Sequence, residues 1–344
     1  MRVTINGAFF AMGMQGVVRY ATELVRALDA VLDQGDDVQV ALPRDAHDLP
    51  DFHAIQPRRI GRLTGMAWEQ VDLAAHMLAH PDRVLLNLCN VAPLIARPGV
   101  TTIHDVMYRT CPQSYTTPRS RVSRAWHCLL YELLTRRERQ ILTVSEYSKA
   151  EIARLYPHAR GKLCVVPNAW QHVRAYEEAP DWQGRYPYLE PGAFYFSMAT
   201  RAYHKNGRWV FEVAKRNPES VFAIAGGSYD ADEQGMPPNV RLLGFVSDAD
   251  ACALIRHCRA FLYPSLYEGF GLPPLEALAL GAQVVSSDAA SLPEVLGDAV
   301  HYIDPNDYDV DLERILAQAV APAQGTLDRF SWEGSARMLA TSVH

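Results

Sequence analysis

The sequence predicts an α/β protein made of two doubly wound domains, each with a parallel sheet. Three observations carry this reading. Short apolar runs that end in polar residues alternate with helical patterns, as strand–helix–strand units do. In two of these units glycines stand between strand and helix: Gly7, Gly13 and Gly16 after Val3-Thr4-Ile5, and Gly269 and Gly271 after Ala260-Phe261-Leu262-Tyr263. With 344 residues, 49% of them hydrophobic, the chain has the length for two domains and the apolar content for two cores.

In the first half, residues 17–28 continue the opening strand and glycine loop as an amphipathic helix. The glycines lack GxGxxG spacing, so a dinucleotide fingerprint is missing and a ligand-free glycine turn is an equal reading. Asp37–Pro43 is a second strand, and 45–65 has no strong period and reads as loop. Trp68-Glu69-Gln70 starts a helix that runs to Leu78. Arg83–Asn90 is a buried strand whose polar end suits the carboxyl edge of a parallel sheet, although Asn87 and Asn90 fit turn caps equally well. Val100–Val106 carries a strand into His104 and Asp105. Pro118–Arg139 reads as an amphipathic helix with its arginines in water, the alternative being a surface for anionic lipid. Leu142-Thr143-Val144 leads to a helix capped by Ser145, and Cys164–Ala169 is the last strand of this half.

Residues 171–192 lack a period and read as an interdomain connection. The expected organisation is therefore a first domain over 1–170, a second over 193–328 and a terminal helical segment over 329–344. Ala193–Ser197 opens the second series. Arg201 and Lys205 follow on a loop before a helix over 207–216, where a guanidinium clamp and an ammonium point charge would suit an anion. The strand Val221–Ala225 ends in Gly226 and Gly227, bare backbone against which a ligand can lie. Val240–Val246 is another strand, with Ser247 capping the helix after it, and core packing is an equal reading for Phe245 and Val246. Gln283–Asp288 is a strand, and Glu294 caps its own short helix.

The most informative stretch is Leu266–Leu278. Gly269 and Gly271 bring backbone close to a ligand, and Pro273 and Pro274 suit a first helical turn with Leu272 extended before them. A helix start favours phosphate. Glu268 in the loop and Glu276 in the first turn accept hydrogen bonds from hydroxyls. An anion site between two hydroxyl acceptors fits a nucleotide sugar.

Composition removes other classes. A net charge of -6 argues against a nucleic-acid binder. The six cysteines have no CxxC spacing and read as buried thiols in a reducing compartment. The opening residues run straight into a strand, and no stretch reaches the length of a spanning helix, so a cytoplasmic protein is expected.

The pattern Glu268-Gly269-Phe270-Gly271-Leu272-Pro273-Pro274-Leu275-Glu276 resembles the E-x7-E signature of retaining GT-B glycosyltransferases of the family 4 type. The His-Asp strand tip, Thr143-Val144-Ser145 and Val166-Pro167-Asn168 resemble segments of the same family, with Ala169 where the family has glycine. The resemblance implies two Rossmann-like domains facing across a cleft, with a C-terminal helix anchored by Trp332 crossing back to the first. Its implied site residues are Gly16 beside the donor phosphates, His104 and Glu268 on the transferred sugar, Arg201 and Lys205 on the diphosphate, and Glu276 on the ribose. Gly226, Gly227, Phe245, Val246, Gly271 and Leu272 line the rest of the donor.

The implied reaction is hexose transfer with retention of configuration, with no metal and no cofactor beyond the nucleotide sugar. The Leu88-Cys89-Asn90 and Ile103-His104-Asp105 tips are most similar to mannosyltransferases of bacterial surface polysaccharides. That similarity implies GDP-mannose, a glycan or polyprenyl-diphosphate-linked oligosaccharide acceptor, and peripheral contact with the inner membrane face. A UDP- or dTDP-sugar transferase, a nucleotide-sugar epimerase and a non-catalytic binding protein stay open as alternatives.

Overall fold

The computed structural model describes residues 2–199, 201–227 and 236–343. The chain forms two compact units: Met1–Arg109 with Pro118–Ala169 and Phe330–His344, and Thr110–Thr117 with Trp170–Arg329.

The first unit holds seven parallel strands in the order β3-β2-β1-β4-β5-β6-β7. These are β1 (Arg2–Asn6), β2 (Asp37–Leu42), β3 (Gln56–Arg59), β4 (Val84–Asn87), β5 (Val100–Thr102), β6 (Gln140–Thr143) and β7 (Leu163–Val165). The order reverses between β1 and β4, the place where doubly wound sheets open a crevice at their carboxyl ends. Helix Gly16–Val31 buries Tyr20, Leu24, Val25 and Leu28, and helix Trp332–Val343 packs against it. Tyr20 donates its hydroxyl to the Val166 carbonyl at 3.1 Å and meets Trp332 edge-on at 6.2 Å, so Trp332 is the expected packing anchor.

Three elements of this unit differ from the sequence reading. Strand β3 lies in the stretch expected to be loop; all four residues are exposed and Pro57 interrupts its donors, so it is an edge strand without the alternation that marks a half-buried one. The helix begins at Gly65, before Trp68, and passes through a π-helical segment, Trp68–Leu73. Helix Pro118–Arg137 buries only Leu130, Tyr131, Leu134 and Thr135, so its core face is confined to the last two turns, while Val122, Leu129 and Leu133 are exposed. Ser145 does cap its helix, accepting from Ser148 N at 3.0 Å.

The second unit has six parallel strands in the order β10-β9-β8-β11-β12-β13. They are β8 (Phe194–Met198), β9 (Val221–Ala225), β10 (Val240–Gly244), β11 (Ala260–Tyr263), β12 (Val284–Ser287) and β13 (His301–Ile303). The order reverses between β8 and β11. Trp209 on helix Gly207–Arg216 is fully buried among Phe222, Ile224 and Leu262, and donates its indole N–H to the Asp307 carbonyl at 2.7 Å. Burial of a side chain that size contributes about 2–3 kcal/mol. The stretch expected to be an irregular connection carries the short helices Gln171–Ala175 and Trp182–Arg185, and Trp182 stacks on His257 at 5.1 Å. All six cysteines are free; Cys111 and Cys252 are buried and the other four partly so.

At the β1/β4 reversal lies a buried polar network. Asn6 Nδ2 donates to Glu69 Oε1 at 2.6 Å and to Asn87 Oδ1 at 3.0 Å, and Asn87 Nδ2 donates to Thr101 Oγ1 at 3.1 Å. Burial raises the Glu69 pKa from 4.5 to about 7, against the lowering effect of the Asn6 and Gln70 hydrogen bonds. Between those two values the native state holds a proton that the unfolded chain has lost, so stability falls as pH rises across that window. The Glu69→Gln variant removes this titration. Its stability relative to the parent should rise by about 3 kcal/mol from pH 4 to pH 8, as read by urea denaturation; a pH-independent difference would contradict the assignment.

Candidate active site

The glycine loop after β11 is braced on both sides. Leu266 N donates to the His204 carbonyl at 2.7 Å, Asn206 Nδ2 to the Pro264 carbonyl at 3.0 Å, and Ser291 Oγ to the Glu268 carbonyl at 3.0 Å. Gly271 is required twice over: its φ is +94°, and a Cβ there would stand 2.4 Å from Leu292 Cδ2. Helix Leu272–Ala279 follows. Leu272 is its first residue, not an extended lead-in, and Glu276 falls just past the first turn. With Pro273 and Pro274 inside that turn, two of the four terminal donors are missing, which makes this a weaker anion site than a helix start with all its amides.

The structure brings Lys205 and Glu268 together. Lys205 Nζ lies 2.8 Å from Glu268 Oε1 and 3.0 Å from the Tyr263 hydroxyl, which itself donates to Glu268 Oε1 at 2.8 Å. Their side chains keep 24% and 13% of their surface, and Tyr263 is buried. Burial works against both charges, but each stabilises the other: the Lys205 pKa is raised by the Glu268 charge, and the Glu268 pKa is lowered by the ammonium. His204 beside them is held to about 4 by burial and by the Lys205 charge, so it is neutral. Two of the three ammonium donors are therefore engaged inside the protein.

Arg201 is placed differently. It is exposed and lines a cavity of about 560 Å³ together with Tyr203, Arg208, Phe211 and Tyr308, while Lys205 points to Glu268. The 3-10 turn Tyr203–Lys205 follows Arg201 and carries Lys205 at its end, and the left-handed Asn206, φ +52°, closes it. Sequence spacing alone did not show this divergence.

At the ends of β9 and β10, Gly226 has φ +144° and donates its N–H to the Gly244 carbonyl at 2.8 Å. A Cβ on Gly227 would meet nothing within 4 Å. Phe245 is 88% exposed, so core packing does not account for it, and Val246 is partly buried.

Glu276 has a partner that sequence reasoning missed. His172 lies 2.7 Å away from Glu276 Oε1 through its Nε2, which as an N–H donates to the carboxylate. Nothing in spacing could show this, because His172 sits in the stretch read as connection, 104 positions earlier.

In the first unit, Gly16 opens its helix and a Cβ there would meet nothing within 4 Å, so internal packing does not demand glycine. His104 is buried at the tip of β5; its backbone N–H donates to Asn90 Oδ1 at 2.8 Å, and its Nε2–H to the Leu88 carbonyl at 2.8 Å. Its ring stands edge-on to Tyr20 at 4.8 Å. Burial lowers the His104 pKa to about 4, so the imidazole is neutral near pH 7 and its Nδ1 is an acceptor. Asn87 and Asn90 both serve internal hydrogen bonds. Among the described residues, no group of three or more His, Cys, Asp or Glu side chains has the arrangement to hold a metal ion, and no helix is long and apolar enough to cross a membrane.

Two parallel-sheet units with their loops at the reversal points define the GT-B fold, and comparisons with known proteins agree. Residues 185–320 match the family described as "Glycosyl transferases group 1", and residues 14–171 match "Glycosyltransferase Family 4". The chain belongs to this glycosyltransferase family and is a hexosyltransferase. It is 30% identical to the O-antigen chain mannosyltransferase B of Escherichia coli over 93% of each chain. Among solved structures, it resembles sucrose-phosphate synthase from Thermosynechococcus elongatus, with a TM-score of 0.70, 16% identity and coverage of 98% of this chain and 97% of that one. It also resembles Anabaena HepE in complex with UDP and glucose, with a TM-score of 0.67, 16% identity and coverage of 99% of both chains.

Separating the two charges tests the site's energetics. Lys205→Met should cost roughly 2–4 kcal/mol, somewhat less than a fully buried pair because the ammonium keeps some water. Adding Glu268→Gln should recover much of that loss in urea denaturation, a non-additivity that marks direct coupling. Additive losses would show that the pair does not act as a unit.

Proposed function

We propose that the protein is a retaining mannosyltransferase that moves mannose from GDP-mannose onto a glycan or polyprenyl-diphosphate-linked oligosaccharide in surface polysaccharide biosynthesis, working at the cytoplasmic face of the inner membrane as a peripheral protein. The printed activity of a relative 30% identical over 93% of the chain supports the mannosyl assignment. The observation that carries the catalytic reading is the Lys205–Tyr263–Glu268 triangle at the β8/β11 reversal, with Glu276 one helical stretch further on.

In this reading Glu268, kept ionised by Lys205, accepts hydrogen bonds from hydroxyls of the transferred sugar. Glu276 accepts from the ribose, and Gly226, Gly227, Phe245 and Val246 bound the base. The third donor of Lys205, Arg201 and the remaining amides around Gly271 and Leu272 stabilise charge as it builds on the leaving diphosphate, the effect usually worth most in such sites. The acceptor hydroxyl attacks C1 on the face the diphosphate leaves; the new glycosidic bond forms as the C1–O bond to phosphate breaks, and the hydroxyl proton passes to the diphosphate. His104 offers a neutral hydrogen-bonding contact to the sugar and takes no part as acid or base. No metal is required.

Thermal unfolding against a panel of nucleoside diphosphates tests the donor site: GDP should raise Tm, and Glu276→Ala should reduce the rise. Mass spectrometry should then show GDP-mannose consumed in the presence of acceptor and EDTA. Consumption of a UDP- or dTDP-sugar in its place would overturn the donor, and loss of turnover in EDTA the metal independence. The pH profile of kcat/KM should lack an inflection from His104 between about pH 5.5 and 7.5; an inflection there that His104→Asn removes would refute the neutral role.

A further inference from the structure

We propose that His172 is a positioning residue that sets the enzyme's preference for a nucleotide with an intact ribose diol, an inference that rests on the ribose role of Glu276. The terminal torsion of a glutamate is broad and roughly two-fold, so an unheld carboxylate presents its oxygens in many directions. In this protein one oxygen is fixed: Glu276 Oε1 accepts from His172 Nε2 at 2.7 Å. The His172 side chain is only 3% exposed, whereas Glu276 keeps 19% of its side-chain surface open. One end of the pair is thus anchored in the protein and the other reaches its surface.

The anchor is itself rigid. His172 lies in the 3-10 turn Gln171–Ala175, closed by Val173 N donating to the Trp170 carbonyl at 3.0 Å. Trp170 is tied by its indole N–H to the Leu327 carbonyl at 2.9 Å, and Arg174 lies over its ring at 4.6 Å. Tyr176 meets the imidazole edge-on at 5.9 Å. Holding Oε1 narrows the rotation of the carboxylate and leaves Oε2 as the remaining acceptor. Two vicinal hydroxyls demand such a fixed acceptor, and a deoxyribose makes no use of it. His172 is therefore not a catalytic residue: it acts through Glu276, on discrimination between sugars of the nucleotide.

Calorimetric binding of GDP and UDP, each beside its 2′-deoxy and 3′-deoxy forms, tests this on the full chain. The parent should prefer the ribonucleotide by about tenfold or more, the worth of one hydrogen bond to a charged group. His172→Ala should reduce that preference to about threefold or less while leaving affinity for the deoxy forms unchanged, which also shows that the variant is folded. His172→Gln, which retains an N–H donor, should restore part of it. Glu276→Ala separates the two ideas. If that variant keeps the preference, the ribose role of Glu276 fails; if it loses the preference and His172→Ala keeps it, His172 is structural only and this inference fails. Equal weakening of ribo and deoxy forms by both His172 variants, or no binding of either diphosphate to the parent, would likewise overturn it.

Discussion

An ammonium and a carboxylate withdrawn largely from water are tolerable only when each meets the other with good geometry. Lys205 and Glu268 meet that condition with Tyr263 as a third member, and the order of the second sheet makes it possible. Lys205 hangs from the loop after β8 and Glu268 from the loop after β11, neighbouring strands on either side of the reversal, so the two loops leave the sheet in opposite directions and their side chains converge over its edge. The cross-braces from the Asn206 side-chain amide to the Pro264 carbonyl and from Leu266 N to the His204 carbonyl hold the same two loops together. Charge pairing and loop bracing thus fix one geometry, and the neutral state of His204 keeps a second positive charge away from the ammonium.

The first unit solves the equivalent problem without a charge pair. At its own reversal Asn6 at the end of β1 and Asn87 at the end of β4 are joined directly, and Glu69 closes the network from the π-helical segment. Three consecutive residues of that segment each reach a different part of the chain: Trp68 donates to the Ile60 carbonyl at 2.8 Å, Glu69 accepts from Asn6 at the end of β1, and Gln70 bonds both the Ala92 carbonyl and Leu94 N. Successive side chains of a helix leave its axis in different directions, which suits one short segment to brace three parts of the chain. A buried polar network of this kind is specific because every member is satisfied.

Much of this was legible in the sequence. The strands with continuous apolar runs, the caps at Ser145 and Ser247 and the glycine loop between strand and helix all announce themselves by local pattern, and the structure forms them. What escaped depended on pairing across the chain. Strand β3 pairs with β2 and carries no hydrophobic alternation. The helical start at Leu272 reflects the left-handed Gly271 ahead of it, which supplies the turn that the prolines seemed to require of Leu272. The separation of Arg201 from Lys205 comes with the 3-10 turn Tyr203–Lys205, and the His172–Glu276 contact joins segments far apart in sequence. Local chemistry identified which residue types matter; which partner each would find was set by topology.

The path of the chain through the two units has a consequence for biosynthesis. The first unit takes its last helix, Trp332–Val343, from residues that follow the whole of the second, and Trp332 covers Tyr20 on the opening helix. During synthesis from the N-terminus, the seven strands emerge early, but the apolar side of helix Gly16–Val31 waits for its cover until the second unit has been made. The half that leaves the ribosome first is the half that finishes last, and a nascent chain halted in the second unit carries an exposed hydrophobic face for chaperones to recognise.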